Sequence, residues 1–151
     1  MVRTDSKGAP ISVPTLEQVY RECAQDHRDL MELVGRVREL RSVAGLVPLL
    51  EKLHGLLIRH FAQEQFPGGL YECMGAYGSH HHEELKTLVR EHCVILSAAR
   101  GVLDQARIAG AQDESAVLKE VDEVLAHLCD HEHREYTLVN KLMASQRTKA
   151  T

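Results

Sequence analysis

The chain has no tryptophan and only two phenylalanines among its 151 residues. An aromatic core is thereby excluded, and the core must be built from Leu, Val, Ala and Met. No apolar run approaches the length of a membrane span, so no membrane partner is expected. The segment Met1–Gly8 lacks the apolar stretch of a secretory signal, and a cytoplasmic location follows as the expectation. The four cysteines, Cys23, Cys73, Cys93 and Cys129, form no Cys-x-x-Cys and no disulfide-framework spacing. In a reducing compartment they read as free thiols, mostly packing residues. The formal net charge is -4 and no basic stretch is concentrated, which argues against nucleic acid as a partner. No segment alternates with period two, so no strands are expected. Ser/His/Asp sets and glycine-rich phosphate loops are absent as well.

Histidine, by contrast, is abundant, with ten residues in a chain of this length. Their placement follows from the apolar periodicity. Residues 1–13 are polar, with Gly and Pro, and read as a flexible arm. A first helix opens at Pro14-Thr15 with a stripe of Leu16, Val19, Tyr20, Cys23, His27, Leu30, Met31, Val34 and Val37. A second begins near Ala44-Gly45 with Pro48 in its first turn. Its stripe is Leu46, Leu49, Leu50, Leu53, Leu56, Leu57, His60 and Glu64. Pro67-Gly68-Gly69 is the strongest breaker, and Leu70 to Gly78 reads as an irregular link. Ser79 suits the N-cap of a third helix with Leu85, Leu88, Val89, His92, Leu96, Ala99 and Leu103. After a turn at Gly110 and Asp113, a fourth carries Val117, Val121, Val124, Leu128, His131, Glu135, Leu138 and Leu142. Residues 146–151 read as a tail. Four amphipathic helices with short connections predict an all-α, up-down-up-down four-helix bundle spanning 14–145.

Every helix thus places a histidine on its inner stripe, and two of them repeat one motif. His60-Phe-Ala-Gln-Glu64 and His131-Glu-His-Arg-Glu135 are both His-x-x-x-Glu. Four residues make about one helical turn, so imidazole and carboxylate project from the same face. His27 lies 33 residues before His60 and His92 lies 39 before His131, a weak internal repeat with pseudo-twofold character. Buried imidazoles and carboxylates cost free energy unless they find partners. A metal-free network of His–Glu ion pairs is one solution. The other is a metal centre with His27, His60, Glu64, His92, His131 and Glu135 as ligands. Four nitrogens and two carboxylates suit two iron or manganese ions in a bundle core, with zinc permitted by ligand type. A solvent-derived oxo or hydroxo bridge would leave at least one coordination position open for O2, NO or peroxide.

These residues resemble the hemerythrin-like (HHE) cation-binding family. The resemblance runs over about 15–145 and rests on Gln-Asp-His27-Arg-Asp-Leu, His60-Phe-Ala-Gln-Glu64, Arg-Glu-His92-Cys-Val-Ile-Leu and His131-Glu-His-Arg-Glu135, in that order. It implies a non-haem di-iron site in a four-helix bundle, with iron ahead of manganese or zinc. Two departures separate the chain from the oxygen-carrying members. Leu88 stands a turn before His92, where those carry a histidine. Their last carboxylate follows the fourth-helix histidine by five residues, and Tyr136 holds that position here. The pattern is closer to the di-iron repair proteins of the family. The function implied is a di-iron protein that binds a small oxidant in oxidative or nitrosative stress defence. A reversible O2 or NO carrier or sensor, or a protein that stores or donates iron, are the alternatives. A monomer or homodimer working with a redox partner is expected.

The remaining candidates read as structural. His80-His81-His82 is expected to be an exposed patch, since His82 lies about 15 Å along the axis from His92. His54 and His133 are out of phase with the ligand stripe. Tyr20 and Cys23 read as packing residues, and Tyr136 as a further candidate near the metals.

Overall fold

The structure, a computed structural model, describes residues 15–77, 79–109 and 113–149. The expected arm at 1–13, the Pro14 helix start, the Gly110 turn and the last two residues lie outside them. Among the described residues every regular element is helical: α1 Leu16–Glu22, α2 Ala24–Glu39, α3 Val43–Gln65, α4 Leu70–Gly75, α5 His82–Ile108 and α6 Glu114–Lys149, with a 3-10 turn at Ser79–His81 before α5. None of these helices is long and apolar enough to cross a membrane.

The single first helix expected from the sequence is two. Thr15 and Gln18 form a capping box that starts α1: the Gln18 amide donates to Thr15 Oγ1 at 3.2 Å, and the Thr15 amide donates to Gln18 Oε1 at 2.8 Å. At Cys23 the amide is shared between the Tyr20 and Val19 carbonyls, 3.1 and 3.3 Å away, so the turn tightens and the helix is interrupted for one residue. Met31, placed on the stripe by the sequence, is exposed, and Leu33 is buried instead.

Other boundaries also move. Pro48 sits in the second turn of α3, because that helix already begins at Val43. Its missing N–H falls at an exposed position. After α3, Gly68 takes φ +83 and Gly69 packs so tightly that a Cβ would lie 2.3 Å from the Gln63 carbonyl oxygen. The link at 70–78 is more regular than expected, since Leu70–Gly75 is helical with Leu70, Tyr71 and Met74 buried. A 3-10 turn precedes α5, whose N-cap is His81 rather than Ser79. The expected tail at 146 is a continuation of α6 through Lys149.

Two apolar cores result. The larger joins α2, α3, α5 and α6 through residues such as Leu30, Leu53, Leu57, Ile95, Val121 and Leu128. The smaller joins α1, α4, the start of α5 and the end of α6 through Leu16, Leu70, Met74, Leu88, Leu138 and Leu142. Each fully buried leucine contributes about 1.5–3 kcal/mol relative to exposure. Along α5, Leu88 belongs to the small core and Ile95 to the large one, with His92 between them. Along α6 the order is Leu128, then His131 and Glu135, then Leu138. The histidines and glutamates therefore form a polar layer that divides the two cores.

Candidate metal centre

The helical turn that links His60 to Glu64, and His131 to Glu135, brings each pair to one level of the polar layer. All six sequence-predicted residues meet there. They fall into two groups, each with ligand atoms within 4.8 Å of one another: His27, His60, Glu132 and Glu135, and Glu64, His92, His131 and Glu135. Glu135 belongs to both.

In the first group, His27 Nε2 lies 3.2 Å from Glu132 Oε2 and 3.5 Å from Glu135 Oε1. His60 Nε2 lies 3.2 Å from Glu132 Oε1 and 3.4 Å from Glu64 Oε1. In the second, His92 Nε2 lies 3.1 Å from His131 Nε2 and 3.4 Å from Glu64 Oε1, while His131 Nε2 lies 3.7 Å from Glu135 Oε2. The two groups differ in access. His27 and Glu132 have side chains 19% and 11% exposed, whereas Glu64, His131 and Glu135 are fully buried.

Four residues in and around this layer escaped the sequence reading. Glu132 precedes Glu135 by three residues, a spacing that also shares a helix face, but its neighbour His131 claimed the stripe. Tyr71 comes from α4, beyond the breaker, where no periodicity points at the layer. Its hydroxyl donates to Glu135 Oε2 at 2.8 Å and lies 2.9 Å from His92 Nε2. Gln65 Oε1 lies 2.6 Å from His92 Nδ1, and Glu91 Oε2 lies 3.8 Å from His131 Nδ1.

The residues set aside by the sequence reading stay outside both groups. His82 and His133 are exposed and His54 is half-buried. Tyr136, read as a candidate near the metals, is 53% exposed and packs against the Tyr20 ring at 6.4 Å. Position 136 lies one residue past the inward-facing Glu135, so the helix turns it outward. Leu88 is buried in the small core. All four cysteines are free thiols. Burial, reinforced by Glu135, pushes the Cys23 thiol up to about 11, so it stays protonated and packs against the layer's edge.

Burial sets the electrostatics. Desolvation, with a contribution from neighbouring His131, lowers His92 to about 3, and desolvation lowers His131 as well. Both imidazoles are neutral at pH 7 and carry lone pairs. Burial next to Glu135 raises Glu64 well above the usual carboxylate range. Burial opposes ionisation of Glu135 too, but the neighbouring Glu64 and His27 and the Tyr71 hydroxyl that donates to it outweigh it and hold that carboxyl at about 2. Burial opposes the charge on His27, and Glu135 and Glu132 overcome it, so its pKa rises.

Four polar atoms matter most for fit. Both oxygens of Glu64, Oε1 of Glu135 and Nε2 of His27 are buried without a hydrogen-bond partner. Unpaired carboxylate oxygens in a core cost several kcal/mol each. Three carboxylates, Glu64, Glu132 and Glu135, converge with four imidazoles, and divalent cations would offset that negative charge. Buried lone pairs from N and O donors that lie this close together could hold metal ions. The residues fit such ions.

Tyr71→Phe removes the donor from Glu135. The metal-free protein is expected to lose about 1–3 kcal/mol of stability, measured by urea denaturation. No measurable loss would show that the hydroxyl leaves Glu135 unsupported.

Comparison with protein-family models, with curated proteins and with solved structures returned no match.

Proposed function

We propose that the chain is a hemerythrin-like di-iron protein, its long helices forming an up-down four-helix bundle, that binds and turns over a small oxidant such as O2, NO or peroxide. The observation that carries this reading is the pair of His/Glu groups joined at Glu135, in which both oxygens of Glu64 and Oε1 of Glu135 are buried without partners. A carboxylate shared between two groups is the natural bridge between two ions. His27, His60 and Glu132 would hold one ion, His92, His131 and Glu64 the other, with Glu135 between them. Iron bound there would supply redox equivalents to the oxidant.

The chain's own residues do the rest. His92 and His131 offer lone pairs without first losing a proton. Glu64 must release its proton to bind a cation, so metal uptake is coupled to proton release. Tyr71 holds one oxygen of Glu135 and keeps its proton, because burial and Glu135 raise its phenol far above neutrality. The apolar cores on either side of the layer exclude water. A small ligand approaches on the His27 and Glu132 side, the less buried edge of the site.

That same edge favours a second reading, iron donation. An ion held partly by the more accessible Glu132 would exchange faster than its buried neighbour.

Anaerobic addition of Fe(II) followed by metal analysis is the test. About two irons per chain are expected in the wild type, in His54→Ala and in His133→Ala. Exposure to air, NO or peroxide should then change the near-ultraviolet absorption, with net consumption of the oxidant. A protein that takes up no iron overturns the reading. Uptake without consumption, with release of one iron to a chelator, would favour donation.

A further inference from the structure

Behind His131 lies a carboxylate that the ligand set does not use. Glu91 is on α5, one residue before His92, and 8% exposed. Its Oε2 pairs with the Arg134 guanidinium and lies 3.8 Å from His131 Nδ1 and 3.7 Å from His127 Nε2. Its Oε1 and His131 Nδ1 are both buried, and neither has a hydrogen-bond partner. A side-chain shift of about 1 Å brings an oxygen within hydrogen-bond range of Nδ1. An ionised carboxylate only accepts, so it selects the imidazole tautomer with the proton on Nδ1. That tautomer leaves Nε2 bare, and Nε2 is the atom aimed at His92, Glu135 and the centre of the layer.

We propose that Glu91 is a positioning residue that fixes the tautomer and strengthens the donor character of His131, and that Arg134 anchors it. A carboxylate behind a ligating imidazole orients the ring and raises its basicity. The contrast with His92 is internal to the site. There the group behind Nδ1 is the neutral amide of Gln65, at 2.6 Å, which can present either its oxygen or its NH2 to the ring; with His131 Nε2 bare, the proton shared between the two Nε2 atoms, 3.1 Å apart, lies on His92 in the metal-free protein. The paired histidines of the buried group are therefore backed unequally, and His131 is the stronger donor. Arg134 is half-exposed and lines, with Glu91, His133 and Lys141, a cavity of about 400 Å³ between α5 and α6. The guanidinium thus compensates the carboxylate from the solvent side, while the second oxygen, Oε1, has no hydrogen-bond partner.

The tautomer inference stands on the metal-free geometry, and the affinity inference rests on the metal-centre reading. The test separates them. In metal-free protein with 15N-labelled histidine, long-range 1H–15N spectra should show His131 protonated at Nδ1. Glu91→Gln retains an acceptor and should preserve that tautomer, whereas Glu91→Leu should shift it toward Nε2–H. Chelator competition with Fe(II) should show a roughly tenfold to hundredfold loss of affinity in Glu91→Leu and a smaller loss in Glu91→Gln. Should the leucine variant fail to fold, Glu91→Ala and Arg134→Gln read the same dependence. Wild-type His131 protonated at Nε2, or a tautomer indifferent to every Glu91 variant, overturns the proposal. A Glu91-dependent tautomer in a protein that takes up no iron keeps the positioning role and removes the metal reading.

Discussion

Glu135→Ala is expected to yield a folded protein that retains almost no iron. Glu135 is the one residue in both ligand groups, and it receives contacts from His27, His131 and Tyr71. Its loss opens both groups at once, where Glu132→Ala would weaken only the more exposed one. The metal-free protein is affected less, because two consequences oppose. Tyr71 loses its acceptor, while Glu64, whose carboxyl is raised first by burial and then by Glu135, loses the second of those causes. Metal analysis after anaerobic Fe(II) loading gives the first readout. Calorimetry gives the second. A ligand present at about a thousand times its Kd adds about 4 kcal/mol of stability, on the order of 10 °C in Tm for a chain of this size. The wild type should show that rise with Fe(II), and Glu135→Ala should show none. Wild-type iron content in the variant would show that Glu135 is not the bridge.

Phe61→Ala is expected to cost about 3–5 kcal/mol, a fall in Tm on the order of 10 °C. Phe61 is 1% exposed and is one of only two phenylalanines in the chain. Its ring stacks on His92 with centroids 3.8 Å apart and planes 8° apart, and meets the His131 ring edge-on at 5.5 Å. Truncation leaves a cavity against the polar layer and removes the wall that holds the His92 imidazole in place. Iron affinity should therefore fall together with stability, although Phe61 donates no ligand atom. Phe61→Leu refills much of the volume and should recover most of the stability without restoring the stacked wall. Urea denaturation of the metal-free proteins, with chelator competition on the same samples, checks both. A cost below about 1 kcal/mol would show that the surrounding leucines collapse into the space.

The spacing of four residues between His60 and Glu64, and between His131 and Glu135, is a local property. A helix of 3.6 residues per turn puts both groups on one face whatever it packs against. The all-helical class, the aliphatic core and the inward placement of His27 and His92 were legible for the same reason. The break at Cys23 was not legible, because sharing one amide between two carbonyls costs little locally and is chosen by packing. Before it, α1 joins α4 in the small core; after it, Met31 is exposed. The entry of Tyr71 was equally hidden, since α4 follows a breaker and carries no stripe long enough to give a face. Periodicity placed Tyr136 only one position from Glu135, and 100° of helical rotation turned it to solvent.

What the sequence determined by itself was therefore everything fixed by the helical repeat: four inward histidines, two inward glutamates and the levels at which they stand. Only the tertiary structure decided how those levels meet. It added Glu132 and Tyr71, set Gln65 and Glu91 behind the imidazoles, and gave the layer one buried group and one more open edge. The physical reason is that these contacts join elements distant in the chain. Their geometry depends on helix phase and separation, which the balance of two apolar cores sets and no local pattern encodes.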